Sequence, residues 1–263
     1  MYNNTDHTFV ICAFEESEYL SSCIESLKRQ SIESNIIIST STPNAFILSI
    51  ANQYEVSLKV NCSKSSISND WNNALQHAET RLVTLAHQDD IYLPRYLEKA
   101  MQCINQSINP IVFFSHYAEI RNNNVTYNNK LLSIKKRMLK PIKSFPTSKV
   151  VRRGVLSFGN PICCPSVMFI EPINLRFSDE LKFSLDWQLW ESLARRKGSF
   201  VYCDEPLILH RIHDNSETTK RIADGKRRQE DYEMLRLFWP KPIAKLLLNS
   251  YSRSEKSNLT VQE

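Results

Sequence analysis

Short apolar runs alternate with helical stripes through the first half of the chain. Thr8 to Phe14 (TFVICAF) is brief, apolar and free of breakers, which predicts a buried strand. Ser17 can cap a helix in which Leu20, Cys23, Ile24 and Leu27 fall at i, i+3, i+4 and i+7. A strand over Asn35 to Ser39, a helix over Ala45 to Tyr54 and a strand over Ser57 to Asn61 follow. Ile67, Trp71, Ala74, Leu75 and Ala78 mark a third helical stripe, leading into a strand at Arg81 to Ala86. A helix opened by Pro94 and a strand at Ile111 to His116 complete this half. Such alternation predicts an α/β fold with a mostly parallel central sheet covered by helices on both faces.

Beyond about residue 120 the pattern becomes mixed, after an Asn-rich polar segment (RNNNVTYNN) and a basic region. Pro165 to Ile170 reads as a strand, and Ser184 to Lys197 as a helix stopped by Gly198. Phe200 to Tyr202 and Leu207 to His213 read as two further strands. The last segment is amphipathic, with Met234, Leu235, Leu237, Phe238, Trp239 and Leu246 to Leu248 as its apolar positions. The expected organisation is an α/β half over 1–120, a second half of the same domain over 121–223, and an amphipathic helical tail over 224–263.

Composition narrows the chemistry. With 42% hydrophobic and 23% charged residues in 263, the chain has the make-up of a globular protein. No run approaches the roughly 18 apolar residues that cross a bilayer, and the start MYNNTDHTF is not that of a signal peptide. The seven cysteines show no C-x-x-C spacing, which argues against a zinc ribbon or a disulfide framework and for reduced thiols in the cytoplasm. Only four glycines are present, too few and too scattered for a glycine-rich phosphate loop. A bound diphosphate would therefore have to be met by a metal ion or by basic side chains. The net charge of +5 is locally concentrated, with nine Lys or Arg and no acid between Lys130 and Gly154. That stretch is either a solvated face or a surface for an anion, whether a diphosphate or an anionic membrane. It lacks the interleaved aromatics of a nucleic-acid surface.

The sharpest local feature is LAHQDDIYLP, in which Asp89 and Asp90 follow an apolar strand. In open α/β sheets, the carboxyl ends of strands are where ligands bind. Asp186 stands at the start of a predicted helix, where the helix dipole alone would account for an acid. His210 and His213 are three apart, which on a strand places them on opposite faces. Trp187 and Trp190 read as core, Trp187 being also a candidate wall for an acceptor.

Three segments together resemble the family 2 glycosyltransferases of the GT-A nucleotide-sugar fold: VICAFEESEYL, NDWNNALQHAETRLVTLAHQDDIYLP, and LDWQLWESLARRKG followed by LILHRIHDNS. The resemblance implies a Mn2+ or Mg2+ ion held by Asp90 and His213, with Asp89 contacting the ribose or sharing the metal. It implies Asp186 as the general base of an inverting transfer from a nucleoside diphosphate sugar to a hydroxyl acceptor. Cys12, Phe14, Glu16, Thr40, Asp70, Asn72 and Gln88 fall on its nucleotide-binding positions. Where the family has an acid after the second strand, Thr40 and Ser41 stand here, which leaves the base unspecified. The setting it implies is surface polysaccharide or glycoconjugate synthesis, with an acceptor that can be lipid-linked and hence peripheral membrane contact. The rival readings are a nucleotidyltransferase, disfavoured by the acidic, glycine-free CAFEESE, and an inactive nucleotide- or glycan-binding module.

Overall fold

A computed structural model describes residues 1–213 and 226–256, the side chains from 250 onward excepted. Its first elements follow the predicted alternation: β1 (His7–Ala13), α1 (Leu20–Lys28), β2 (Asn35–Thr40), α2 (Ala45–Gln53), β3 (Ser57–Val60), α3 (Ile67–His77) and β4 (Leu82–His87). The caps are local. Asn44 and Ser66 accept from the backbone N–H of Ile47 and Asn69, so α2 and α3 start where the sequence offers a side-chain acceptor, whereas α1 has no side-chain cap.

The chain continues through β5 (Ile91–Tyr92), α4 (Tyr96–Asn105), β6 (Pro110–Arg121), β7 (Asn124–Thr126), α5 (Lys130–Ser144) and α6 (Lys149–Leu156). It ends with β8 (Val167–Ile170), α7 (Leu185–Ala194), β9 (Ser199–Arg211), α8 (Lys226–Arg236) and α9 (Lys241–Lys256). One sheet runs in the order β3-β2-β1-β4-β8-β6-β9-β5, with β7 beside β6. β3, β2, β1 and β4 are parallel, as are β6 and β9, while β8 is antiparallel to both β4 and β6.

Strand alternation divides the core in two. Phe9, Ile11 and Ala13 of β1 pack with α1, α2 and α4 on one face. Val10, with Val83 and Leu85 of β4, packs with α3, α6 and α7 on the other. Met234, Leu235, Ala244 and Leu248 join that second core, so the helices read as a tail cover the sheet rather than trail from it.

The structure corrects several boundaries. Phe200–Tyr202 and Leu207–Arg211 belong to one strand, β9, because irregular pairing with β6 around Ser115 and His116 carries the chain past Pro206; it ends at Arg211, so His213 lies beyond it. A proline has no N–H for the ladder and is accommodated at such an irregularity. The basic region is helical over α5 despite Pro141. Helix α7 stops at Ala194, short of the expected Lys197. Gly198 takes φ +131°, and a Cβ there would strike the carbonyl of Asn109. Trp187 is not an acceptor wall: it is buried, and its Nε1–H donates to the carbonyl of Leu156 at 3.0 Å.

Candidate active site

β4 delivers His87, Gln88, Asp89 and Asp90 to the carboxyl edge of the parallel strands, where the chain turns into β5. β9 ends alongside. The N–H of Arg211 donates to Asp90 Oδ1 at 2.8 Å, and His210 Nδ1 lies 3.0 Å from the same oxygen. Asp90 is fully buried. His213 Nε2 stands 3.1 Å from Asp89 Oδ2, whose side chain is 21% exposed. His210, on β9, and His213, two residues past its end, thus meet different carboxylates. Arg211 Nε donates to the Asp89 carbonyl at 2.9 Å, and its guanidinium lies over the Tyr19 ring, which also packs on His213.

Burial pushes the Asp89 carboxyl up, but the His213 hydrogen bond and the nearby His87 and His210 together draw it below the ordinary value. His87 completes the cluster. Its ring stacks on Trp71, its Nε2 is buried without a hydrogen-bond partner, and burial keeps its proton affinity low. Ligand atoms of His87, Asp89 and Asp90 lie within 4.8 Å of one another. A buried, unpartnered imidazole nitrogen beside two carboxylates fits a divalent cation that accepts nitrogen and oxygen donors. Sequence reasoning missed His87, although its place two residues before Asp89 was a usable signal.

Asp186 lies in the first turn of α7. Its Oδ2 accepts from Asn160 Nδ2 at 2.7 Å and its Oδ1 from the N–H of Trp187 at 2.7 Å. Burial raises its pKa, and these two donors only partly oppose the rise. Asp90 and Asp186 both act electrostatically on the buried thiols of Cys163 and Cys164, so that turn lies near both acids.

The start of α7 is held from a distance. Glu230 of α8 accepts from three successive backbone N–H groups, those of Lys182, Phe183 and Ser184, at 2.9, 2.8 and 3.0 Å. Asp231 accepts from the Ser184 hydroxyl at 2.9 Å. At the other end of α7, buried Arg152 donates to the carbonyls of Ala194, Arg196 and Gly198. A cation there complements the helix dipole. Neither clamp was legible in the sequence, since each joins residues more than 40 positions apart.

The expected nucleotide positions are unequal. Phe14 is 40% exposed and Glu16 exposed, just beyond β1. Cys12 sits near Asp70, and burial pushes its thiol far up. Asp70 accepts from Asn61 and Ser65, and Thr40 is buried with its hydroxyl accepting from the Thr42 N–H. The Gln88 amide spends both ends on the backbone of Phe14, at 3.0 Å each, and so ties the loop after β4 to the loop after β1. Asn72 is a correction. It is buried, and both amide atoms bond the backbone of Phe177, leaving nothing for a nucleotide. The residues 214–216 that follow His213 in the resembling segment lie outside the described residues.

A parallel four-strand unit ending in an acidic loop, extended by antiparallel and long paired strands, is the GT-A fold. The sequence profile of Glycosyl transferase family 2 matches residues 8–169, more than half of the chain, and the protein belongs to that family. Among solved structures, residues 1–349 of S. aureus TarS in complex with UDP-GlcNAc align with a TM-score of 0.65 at 16% identity, covering 97% of this chain and 76% of that one. The mannosyltransferase PcManGT from Pyrobaculum calidifontis, in complex with GDP-Man and Mn2+, aligns at 0.62 and 12% identity, covering 95% and 70%. Glucosyl-3-phosphoglycerate synthase from Mycobacterium tuberculosis aligns at 0.53 and 11%, covering 80% and 73%. The chain spans 46% of the longer S. aureus TarS chain. No curated protein matches the sequence.

Proposed function

We propose that this protein is an inverting glycosyltransferase that moves a sugar from a nucleoside diphosphate sugar to a hydroxyl acceptor, assisted by Mn2+ or Mg2+. One observation carries the reading: His87, Asp89 and Asp90 bring ligand atoms within 4.8 Å of one another at the carboxyl edge of the parallel strands, where open α/β sheets bind their ligands. The nucleotide-sugar complexes among the structural neighbours support such a donor, and the Mn2+ complex supports a divalent ion.

In this reading Asp89 and His87 hold the ion, with His213, bonded to Asp89, as the further ligand that the resemblance implies, while Asp90, buried and already bonded to β9, fixes the loop behind them. The resemblance gives the metal to Asp90, with Asp89 on the ribose or sharing the ion; the burial of Asp90 and its bonds to β9 favour Asp89 as the carboxylate open to the ion. The ion, when bound, supplies positive charge against the departing diphosphate. This reading assigns Phe14, Glu16, Cys12, Thr40 and Asp70 to the nucleoside, as the resemblance implies. Asp186 takes the proton from the acceptor hydroxyl, its two oxygens oriented by Asn160 and the Trp187 N–H. Direct attack without a covalent intermediate inverts the anomeric centre. Assembly of a surface polysaccharide or glycoconjugate in the cytoplasm is the proposed setting.

The test is incubation with a panel of nucleoside diphosphate sugars and hydroxyl acceptors, with Mn2+ or with a chelator. Metal-dependent release of nucleoside diphosphate and an inverted product by NMR are expected. A retained configuration would sink the direct-attack mechanism, and failure of every donor to bind or turn over would sink the transferase reading.

A further inference from the structure

The basic run that the proposed chemistry leaves unused is sorted by the structure into two sets. Four of its nine cations are engaged internally: Arg152 caps α7, Arg153 pairs with Glu191, Lys143 pairs with Asp204, and Lys135 donates to the Tyr117 hydroxyl. The other five, Lys130, Lys136, Arg137, Lys140 and Lys149, are exposed. Among the described residues none of the five has a carboxylate partner.

Four of these five lie on α5. That helix buries Leu132, Leu139 and Ile142. With 3.6 residues per turn, Arg137 and Lys130 fall opposite those three, and Lys136 and Lys140 on the flank between. Exposed apolar side chains lie on α5, directly after it and at the start of α6. Ile134 is 37% exposed, Phe145, immediately after α5, 60%, and Val150, in the first turn of α6, 82%. Lys135, whose charge reaches Asp186, points to the inner side, so the exposed cations are not the ones nearest the proposed base.

We propose that this outward face of α5, with the start of α6, rests on an anionic membrane surface. Concentrated positive charge without acids is drawn to anionic headgroups. Exposed Phe, Val and Ile beside it can enter the headgroup boundary, as in helices that lie along a bilayer. A soluble polyanion would use the cations and leave those apolar side chains in water. Among the described residues no helix is long and apolar enough to cross a membrane, so this contact is peripheral. It does not rest on the transfer chemistry, because the surface is built from residues outside the proposed site.

The experiment is co-sedimentation of the full chain with phosphatidylcholine vesicles, with and without phosphatidylglycerol. Binding is expected only to the anionic vesicles at low salt. It is expected to vanish as the Debye length falls from about 10 Å at 0.1 M to about 3 Å at 1 M salt. The combined variant Lys136→Glu, Arg137→Glu, Lys140→Glu should lose binding at low salt, and Phe145→Ser should weaken it several-fold at unchanged charge. All four positions are exposed, and an unchanged circular dichroism spectrum and unchanged stabilisation by UDP or GDP would show that fold and donor site survive. No binding to anionic vesicles at low salt, or full binding by the charge-reversed variant, overturns the proposal. Binding to soluble polyphosphate without binding to vesicles overturns it too, and assigns the face to a polyanion.

Discussion

At the strand-end turn a carboxylate with no solvent contact, Asp90, sits beside one that is 21% exposed, Asp89. Removing the charge of Asp90 leaves its donors facing an amide, at a cost of about 1–3 kcal/mol. Asp90→Asn should therefore lower the apo Tm by several degrees. Asp89→Asn should leave the apo Tm nearly unchanged but abolish the Mn2+-dependent stabilisation by a nucleoside diphosphate. Thermal unfolding of both variants decides it, and the opposite pattern would return the metal to Asp90. His87 adds a nitrogen donor, which Mg2+, a hard ion that takes oxygen ligands and keeps its waters, accepts less readily than Mn2+. His87→Asp should narrow the Mn2+ over Mg2+ preference in metal titrations followed by thermal shift. An unchanged ratio would remove His87 from the ligand set. For Asp186→Asn, transfer should fall by about 100-fold or more with donor binding intact. Asn160 donates to the ionised form of Asp186, so Asn160→Ala should raise the pKa of the base further. Because the base acts when ionised, the acidic limb of the kcat profile should move to higher pH. A lower rate with an unmoved limb would reduce Asn160 to packing.

At the level of elements, α7 carries Asp186 and is gripped at both ends by residues far away in sequence. Glu230→Gln keeps the size of the side chain but replaces one acceptor oxygen with a donor facing backbone N–H groups. The expected result is a lower kcat with nearly unchanged donor affinity, read from steady-state kinetics and nucleotide titration. Equal losses in both would mean that the clamp supports the whole fold rather than the base. The helices and strands up to β4 were legible because each has its own period, and α2 and α3 their own caps, Asn44 and Ser66; α1 begins after Tyr19 with no side-chain cap, so the expected Ser17 cap is not formed. Two-residue β5 carries too little pattern to be read, and it exists because Ile91 and Tyr92 find Leu209 and Ile208 on β9. The continuation of β9 through Pro206 likewise depends on its partner strand.

On the scale of the molecule, α8 and α9 are part of the second core through Met234, Leu235, Ala244 and Leu248. Ending the chain at residue 225 would strip those contacts and free the Glu230 clamp. A buried Leu or Met lost to a cavity costs roughly 2–5 kcal/mol, so removing several should leave little stability. The truncated protein is expected to be insoluble or to melt far below the full chain, and a native-like Tm would make α8 and α9 a mere appendage. The sequence by itself determined the alternation of strands and helices, the acidic turn at the end of β4 and the family resemblance, because these are written in neighbouring residues. Only the tertiary structure decided that Asp90 is buried and Asp89 partly open, that Asn72 and Gln88 serve the backbone, and that His87 joins the cluster. It also decided which of nine basic residues face outward and that Glu230 holds the start of α7. The physical reason is that burial and hydrogen-bond partners are supplied across the fold, from β9 for Asp90 and from α8 for α7, and no local pattern carries that information.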